Sequence, residues 1–191
     1  MRPLRRIGVF CGSSSGARPE YREAAVDLAR FLAAEGIGLV YGGANLGTMG
    51  LLAETMQNAG GDVIGVIPQS LVDKEIARRE LADLRIVGSM HERKALMADL
   101  SDAVIALPGG LGTLDELFET LTWNQLDLQQ KPCGLLNVAG FYDGLIAFLS
   151  HAVRERFLRP EHAAMLRVAN TPDALIEELR HFEPPRLGKW F

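Results

Sequence analysis

The sequence predicts an α/β fold, a doubly wound parallel sheet of the Rossmann-like kind in a single domain over residues 1–191. Three observations predict it. Short apolar runs, roughly four to eight residues each, recur along the chain; the stretches between most of them carry apolar residues at helical period; and three runs end in glycine-rich turns. Runs without polar alternation are buried on both faces, as in parallel sheets, whose crossover helices cover those faces.

Strands are predicted at 6–11, 38–41, 63–67, 84–87, 103–107 and 133–138. A helix at 20–34 places Ala24, Ala25, Leu28, Phe31 and Leu32 on one stripe, and one at 114–128 does the same with Leu117, Leu121 and Leu128. Further helices are predicted at 143–155 and 172–181, while the tail 184–191 is too proline-rich to continue one. No internal repeat, low-complexity segment or linker divides the chain.

Composition narrows the function. With 48% hydrophobic residues the chain can bury a full core. A net charge of −4, with no block of like charges, argues against a sequence-independent grip on nucleic acid. No apolar stretch approaches the ~18 residues of a membrane span, so a soluble, cytoplasmic protein is expected. Cys11 and Cys133 fall in or beside predicted strands without metal or disulfide spacing, and are expected as buried thiols.

Ligands of such sheets bind beyond the carboxyl ends of the strands. The three glycine-rich turns lie there: 12–16 after the first strand, 42–50 after the second and 108–113 after the fifth. Each alone is weak, since tight turns need glycine without any ligand. Together they point to a binding edge. The first is not Gly-x-Gly-x-x-Gly and no acidic residue ends the second strand, which disfavours NAD.

The segment Pro-Gly-Gly-Leu-Gly-Thr-Leu-Asp-Glu at 108–116 is the most informative. A strand feeding a glycine-rich turn into a helix presents unpaired N–H groups backed by the helix dipole, a ready phosphate site. Glu116 lies about one turn onward, placed to act on a sugar attached to that phosphate. Its ordinary explanation is a first-turn carboxylate stabilised by the dipole, which also serves for Asp115 and Glu119.

A second constellation is Ser-Met-His-Glu-Arg-Lys at 89–94, where Ser89 and Glu92 have capping-box spacing. Arg93 and Lys94 then oppose the dipole of the helix they open, which favours an anion to compensate them; pairing with Glu92 or Asp99 is the ordinary alternative. His91 has no partner at metal-ligand spacing, so no metal site is expected.

The 108–116 segment together with Met-His-Glu-Arg-Lys at 90–94 resembles the LONELY GUY family of cytokinin-activating nucleotide hydrolases. Val-Phe-Cys-Gly-Ser-Ser at 9–14, Leu-Val-Tyr-Gly-Gly at 39–43, Gly-Thr-Met-Gly at 47–50, Val-Ile-Pro at 66–68 and Thr-Trp-Asn-Gln-Leu at 122–126 extend the resemblance over nearly the whole chain. It implies hydrolysis of a nucleoside 5′-monophosphate, such as an N6-prenylated AMP or AMP itself, to free base and ribose 5-phosphate, by a homodimer without a cofactor. It implies Arg93 and Glu116 as the catalytic pair, and Glu75, Arg93, Lys94, Gly109, Gly110, Leu111, Gly112, Thr113 and Thr122 as substrate contacts. The 74–80 segment departs from the family, with Arg78 and Arg79 where Gly and Glu are usual, which bears on base selectivity. A lysine decarboxylase label used for such chains is rejected: none of Lys74, Lys94, Lys131 and Lys189 follows a His as a Schiff-base lysine would. The competing class is a non-catalytic nucleotide or molybdenum-cofactor carrier, which has no use for Glu116 beside a phosphate.

Overall fold

The computed structural model describes residues 3–74 and 77–185 of the chain. Seven parallel strands form one sheet: β1 (Arg6–Phe10), β2 (Gly38–Tyr41), β3 (Val63–Pro68), β4 (Asp83–Val87), β5 (Ala103–Ala106), β6 (Cys133–Leu136) and β7 (Leu166–Ala169). Their spatial order is β4-β3-β2-β1-β5-β6-β7. The chain therefore winds outward from β1 to β4, returns across the sheet, and winds outward again from β5. The reversal lies between β1 and β5, and a crevice opens there beyond their carboxyl ends. Register fixes where it starts: Phe10 pairs with Ala106, and the Leu107 N–H still donates to the Phe10 carbonyl at 2.9 Å. Gly12 and Pro108 stand just past that last rung.

Two apolar layers sandwich the sheet. On one face, helices α1 (Pro19–Ala34), α2 (Gly47–Asn58) and α8 (Pro172–Arg180) bury Leu28, Leu32, Leu52, Met56, Ile176 and Leu179 against Ile7, Val9, Leu39 and Ile105. On the other, α4 (Met90–Leu100), α5 (Leu111–Gln125) and α6 (Asp143–Arg154) set Met97, Leu117 and Leu149 against Val40, Val66, Val104 and Leu135. Alternate residues of the inner strands β2, β3, β5 and β6 serve opposite layers, which is why those strand sequences carry no charge, whereas the edge strands β4 and β7 include Asp83, Arg85 and Arg167. Two single-turn helices, α3 (Gln69–Val72) and α7 (Pro160–Ala163), complete the set. No helix among the described residues is long and apolar enough to cross a membrane.

The predicted strands all form, the second with the expected ends and the others shifted by one or two residues at an end. The sixth stops at Leu136 and passes into a 3₁₀ turn, Val138–Gly140, in which Ala139 takes a positive φ of 51°. The seventh strand was not expected: Leu-Arg-Val-Ala is short and half-buried, and only the paired edge of β6 makes it extended. More consequentially, α5 begins at Leu111 rather than 114, with Gly110 as its N-cap. Glycine is a poor helix former in an interior, but first-turn N–H groups lack intrahelical partners anyway, so Gly112 costs little there.

Candidate active site

The α5 N-terminus lies at the crevice between β1 and β5. No side chain caps it; the first intrahelical bond runs from the Leu114 N–H to the Gly110 carbonyl at 3.2 Å. The amides of Leu111, Gly112 and Thr113 precede that bond. Added Cβ atoms on Gly110 or Gly112 would meet nothing within 4 Å, so a ligand has room against the backbone. These residues border a cleft of about 220 Å³ that Gly12, Ser13, Met49, Met90, Arg93 and Glu116 also line. Larger hollows elsewhere, about 570 Å³ beside α1 and about 500 Å³ beside Asn124 and His162, are lined by carboxylates that are exposed or half-buried.

Glu116 is 9% exposed and lies in the second turn of α5, whose first turn contains no acidic residue. The dipole explanation for it as a first-turn carboxylate is thereby removed. Burial raises its pKa above the usual carboxylate value; Arg93 and Lys94 pull it back, while Asp115 and Glu119 push it further up. Its nearest cation is Arg93, with Nη1 3.5 Å from Oε1.

Arg93 is equally buried and held from three sides. Its Nε donates to the Val66 carbonyl of β3 at 3.1 Å and its Nη2 to the Gly42 carbonyl after β2 at 3.4 Å. The guanidinium fork is thus fixed by strand ends before any ligand arrives, leaving Nη1 toward Glu116. A Cβ on Gly42 would stand 2.0 Å from Nη2, so residue 42 must lack a side chain for Arg93 to sit there. Ser89 anchors the helix carrying Arg93, its Oγ accepting from the Glu92 N–H at 3.1 Å. Glu92 reaches back to the Gly88 N–H at 2.8 Å, one residue earlier than a full capping box.

The remaining expected residues divide. Leu111, Gly110, Gly112 and Thr113 border the cleft. Gly109 supports it from behind, since a Cβ there would lie 2.1 Å from Thr113 Oγ1 and 3.0 Å from the Gly12 amide nitrogen. Lys94 is not itself among the lining residues, but its Nζ pairs with Asp115, which lines the cleft, at 3.3 Å and with Glu119 at 3.0 Å, neither of them the Glu92 or Asp99 that helical spacing had offered. Thr122 is exposed farther along α5, its Oγ1 donating to the Phe118 carbonyl at 2.7 Å. Glu75 lies outside the described residues. Sequence reasoning missed the carbonyls of Gly42 and Val66 as the seat of Arg93; only the glycine pair at 42–43 hinted at it. It also missed Cys11, which lines the cleft with its thiol pushed up to about 12 by burial, no nucleophile at neutral pH.

The sequence profile of a family described as "Possible lysine decarboxylase" matches residues 49–179. A protein of Oryza sativa subsp. japonica named probable cytokinin riboside 5′-monophosphate phosphoribohydrolase LOGL9 is 51% identical over 181 residues, covering 95% of this chain and 80% of that protein. The cytokinin riboside 5′-monophosphate phosphoribohydrolase LOG3 of Arabidopsis thaliana is 47% identical over 181 residues, covering 95% and 84%. Among solved structures, the molybdenum cofactor binding protein from Rippkaea orientalis matches with a TM-score of 0.67 at 29% identity, over 93% of this chain and 94% of that one. The molybdenum cofactor carrier protein from Chlamydomonas reinhardtii, at 24% identity and a TM-score of 0.69 over 94% and 98%, shares the fold.

Proposed function

This chain belongs to the family whose profile it matches and whose plant relatives are named phosphoribohydrolases, and from that membership we propose that it hydrolyses the N-glycosidic bond of adenosine 5′-monophosphates. The substrates are N6-modified nucleotides such as cytokinin riboside monophosphates, or AMP; the products are the free base and ribose 5-phosphate. The observation that carries this reading is a buried carboxylate, Glu116, lining the same cleft as the uncapped amides of residues 111–113.

The chemistry follows from that pairing. The phosphate occupies the α5 N-terminus, whose amides and dipole favour an anion, and Gly110 and Gly112 admit it to the backbone. The ribose is then held against Glu116, so that phosphate binding positions the anomeric carbon. As the C–N bond breaks, positive charge develops on the sugar, and the ionised Glu116 stabilises it. Water adds to the anomeric carbon, giving one proton to Glu116, while the base departs with the bonding electrons and takes a proton from solvent; Glu116 then returns its proton to solvent, so protons balance over the turnover. Arg93, fixed by Val66 and Gly42, lies against Glu116 and opposes the upward pull of burial on its pKa.

The family's decarboxylase description is not adopted for this chain, since no lysine lines the cleft among the described residues. On this reading the protein works as a cytoplasmic homodimer in one domain, with no nucleic-acid partner. Incubation with AMP, and separately with N6-isopentenyl-AMP, followed by chromatography for the free base, tests the proposal. Release from either supports it. Intact nucleotide in both, with tight nucleotide binding, would favour the carrier class instead.

A further inference from the structure

We propose that a closed cavity behind Glu116 binds a single water molecule, and that this water passes the proton Glu116 takes up during hydrolysis on to Glu119. The inference rests on the function proposed above and supplies the route for its last step, the return of that proton to solvent. Glu116 borders two spaces at once. One is the cleft; the other is a cavity of about 10 Å³ enclosed by Phe10, Lys94, Ala98, Glu119, Thr120 and Trp123. A water needs roughly 10–15 Å³ of such space and about two to four polar partners. The cavity has the volume for one water and no larger guest, and four of the residues around it carry polar groups: Glu116, Glu119, Thr120 and Lys94. The two carboxylates can accept from a water, and the Thr120 Oγ1, which donates to the Glu116 carbonyl at 2.9 Å, keeps its lone pairs.

The chemistry needs such a route. Glu116 is 9% exposed, and a nucleotide in the cleft covers the side from which the attacking water delivers its proton. Glu119 is wetter, with its side chain 25% exposed beside Lys94 Nζ at 3.0 Å. Residues three apart on a helix set their Cβ atoms about 5–6 Å from each other, a gap that one water spans. The Glu116 O–H bond breaks as the water takes that proton and gives one of its own to the Glu119 carboxylate; Glu119 then releases it to solvent. The water and both carboxylates are restored, and the proton count closes. The charged and titratable groups that bear on Glu116 are Arg93 and Lys94 from α4, Asp115 and Glu119 from α5, and the Cys11 thiol after β1.

A crystal structure of the free protein reads the site without any turnover. A water within about 2.6–3.2 Å of carboxylate oxygens of both Glu116 and Glu119 is expected, and a cavity with no solvent density would overturn the proposal even for an active enzyme. Failure of the wild type to release base from AMP or N6-isopentenyl-AMP would instead overturn the function, and the relay with it, while the density still decided the water. Kinetics then test the relay. Ala98→Val fills the cavity with methyl groups and changes no charge; kcat for AMP should fall about tenfold, with KM and the calorimetric Kd for ribose 5-phosphate within about twofold. Glu119→Gln removes the proton acceptor and should lower kcat about as far, although the acidic limb of its kcat–pH profile moves down because a negative neighbour of Glu116 is gone. Glu119→Asp, which keeps an acceptor, should recover most of the loss. Combining Ala98→Val with Glu119→Gln should cost no more than either alone, as for two members of one route. Should Ala98→Val fold poorly, the density, Glu119→Gln and Glu119→Asp carry the test. Unchanged kcat in Glu119→Gln, additive losses, or a loss expressed in KM would overturn the assignment.

Discussion

Two glycine-rich turns at one sheet edge look alike in sequence and do opposite things in space. In the turn after β2, the glycines are spent on packing. A Cβ on Gly42 would strike Arg93, one on Gly43 would come within 2.9 Å of Ile67 at a positive φ of 72°, and one on Gly47 would press into the backbone of Ser13 at 2.3 Å. In the turn after β5, Gly110 and Gly112 face open space, and the amides that follow are uncapped. The first turn builds the seat of the guanidinium; the second leaves its backbone open to the cleft. A run of glycines signals close approach in either case, and what approaches is settled only by the surrounding atoms.

The largest expected effect sharpens the open side of that comparison. Glu116→Gln should lower turnover of AMP at least about a hundredfold, the range for a lost acid–base group, while calorimetry still finds AMP bound. Wild-type turnover in this variant would return Glu116 to a structural role. On the packed side, Gly42→Ala must displace Arg93 Nη2 or the strand end; kcat should fall about tenfold or more and stability by about 1–3 kcal/mol, the cost of overpacking. If Gly42→Ala kept full activity and its melting temperature, the two turns would not differ as described.

The pH profile tests the site's electrostatics. In the proposed mechanism Glu116 acts ionised, and burial raises its pKa above the ordinary 4.5, so kcat should fall about tenfold per unit as pH drops through that raised value. The stability sign is opposite: a carboxyl whose folded pKa is raised favours folding below its unfolded pKa, and that contribution is lost as pH rises through the folded one. Denaturation of wild type against Glu116→Gln over the range above 4.5 should therefore show the wild type losing ground as pH rises.

Gly112→Ala offers a finer contrast. Its Cβ meets nothing and its backbone is helical, but a first-turn glycine costs little, so stability should rise by no more than about 0.5 kcal/mol, while KM for AMP rises severalfold because the methyl group stands where the ligand is proposed to approach. Better folding with unchanged KM would mean the open space is not a binding site. The smallest effect belongs to Ser89→Ala, which removes the α4 cap; it should cost about 1 kcal/mol in denaturant titration and leave kcat within about twofold.

Much of this was legible in the chain. The all-apolar strands predict a two-sided sheet because each residue of β2 and β5 meets one of two buried layers. Arg93 stood out because a cation opposes the dipole of the helix it opens, and Glu116 because it follows the glycine-rich turn at 108–113 by about one turn. Strand β7 was not legible, as four half-buried residues carry no period strong enough to outweigh a neighbouring helix. Nor was the start of α5, where glycines that usually break helices are tolerated at a terminus facing a cleft.

Local patterning by itself determined the first six strands and the longer helices between and after them, the burial of both sheet faces and the placement of three glycine-rich turns at one edge, because period and turn chemistry act over a few residues. Tertiary structure alone decided which turn stays open, that Val66 and Gly42 clamp Arg93, and that Lys94 pairs with Asp115 and Glu119 of α5. Those outcomes depend on atoms brought together across β1, β2, β3 and α5 from distant parts of the chain, and no spacing along it encodes a distance of 3 Å between them.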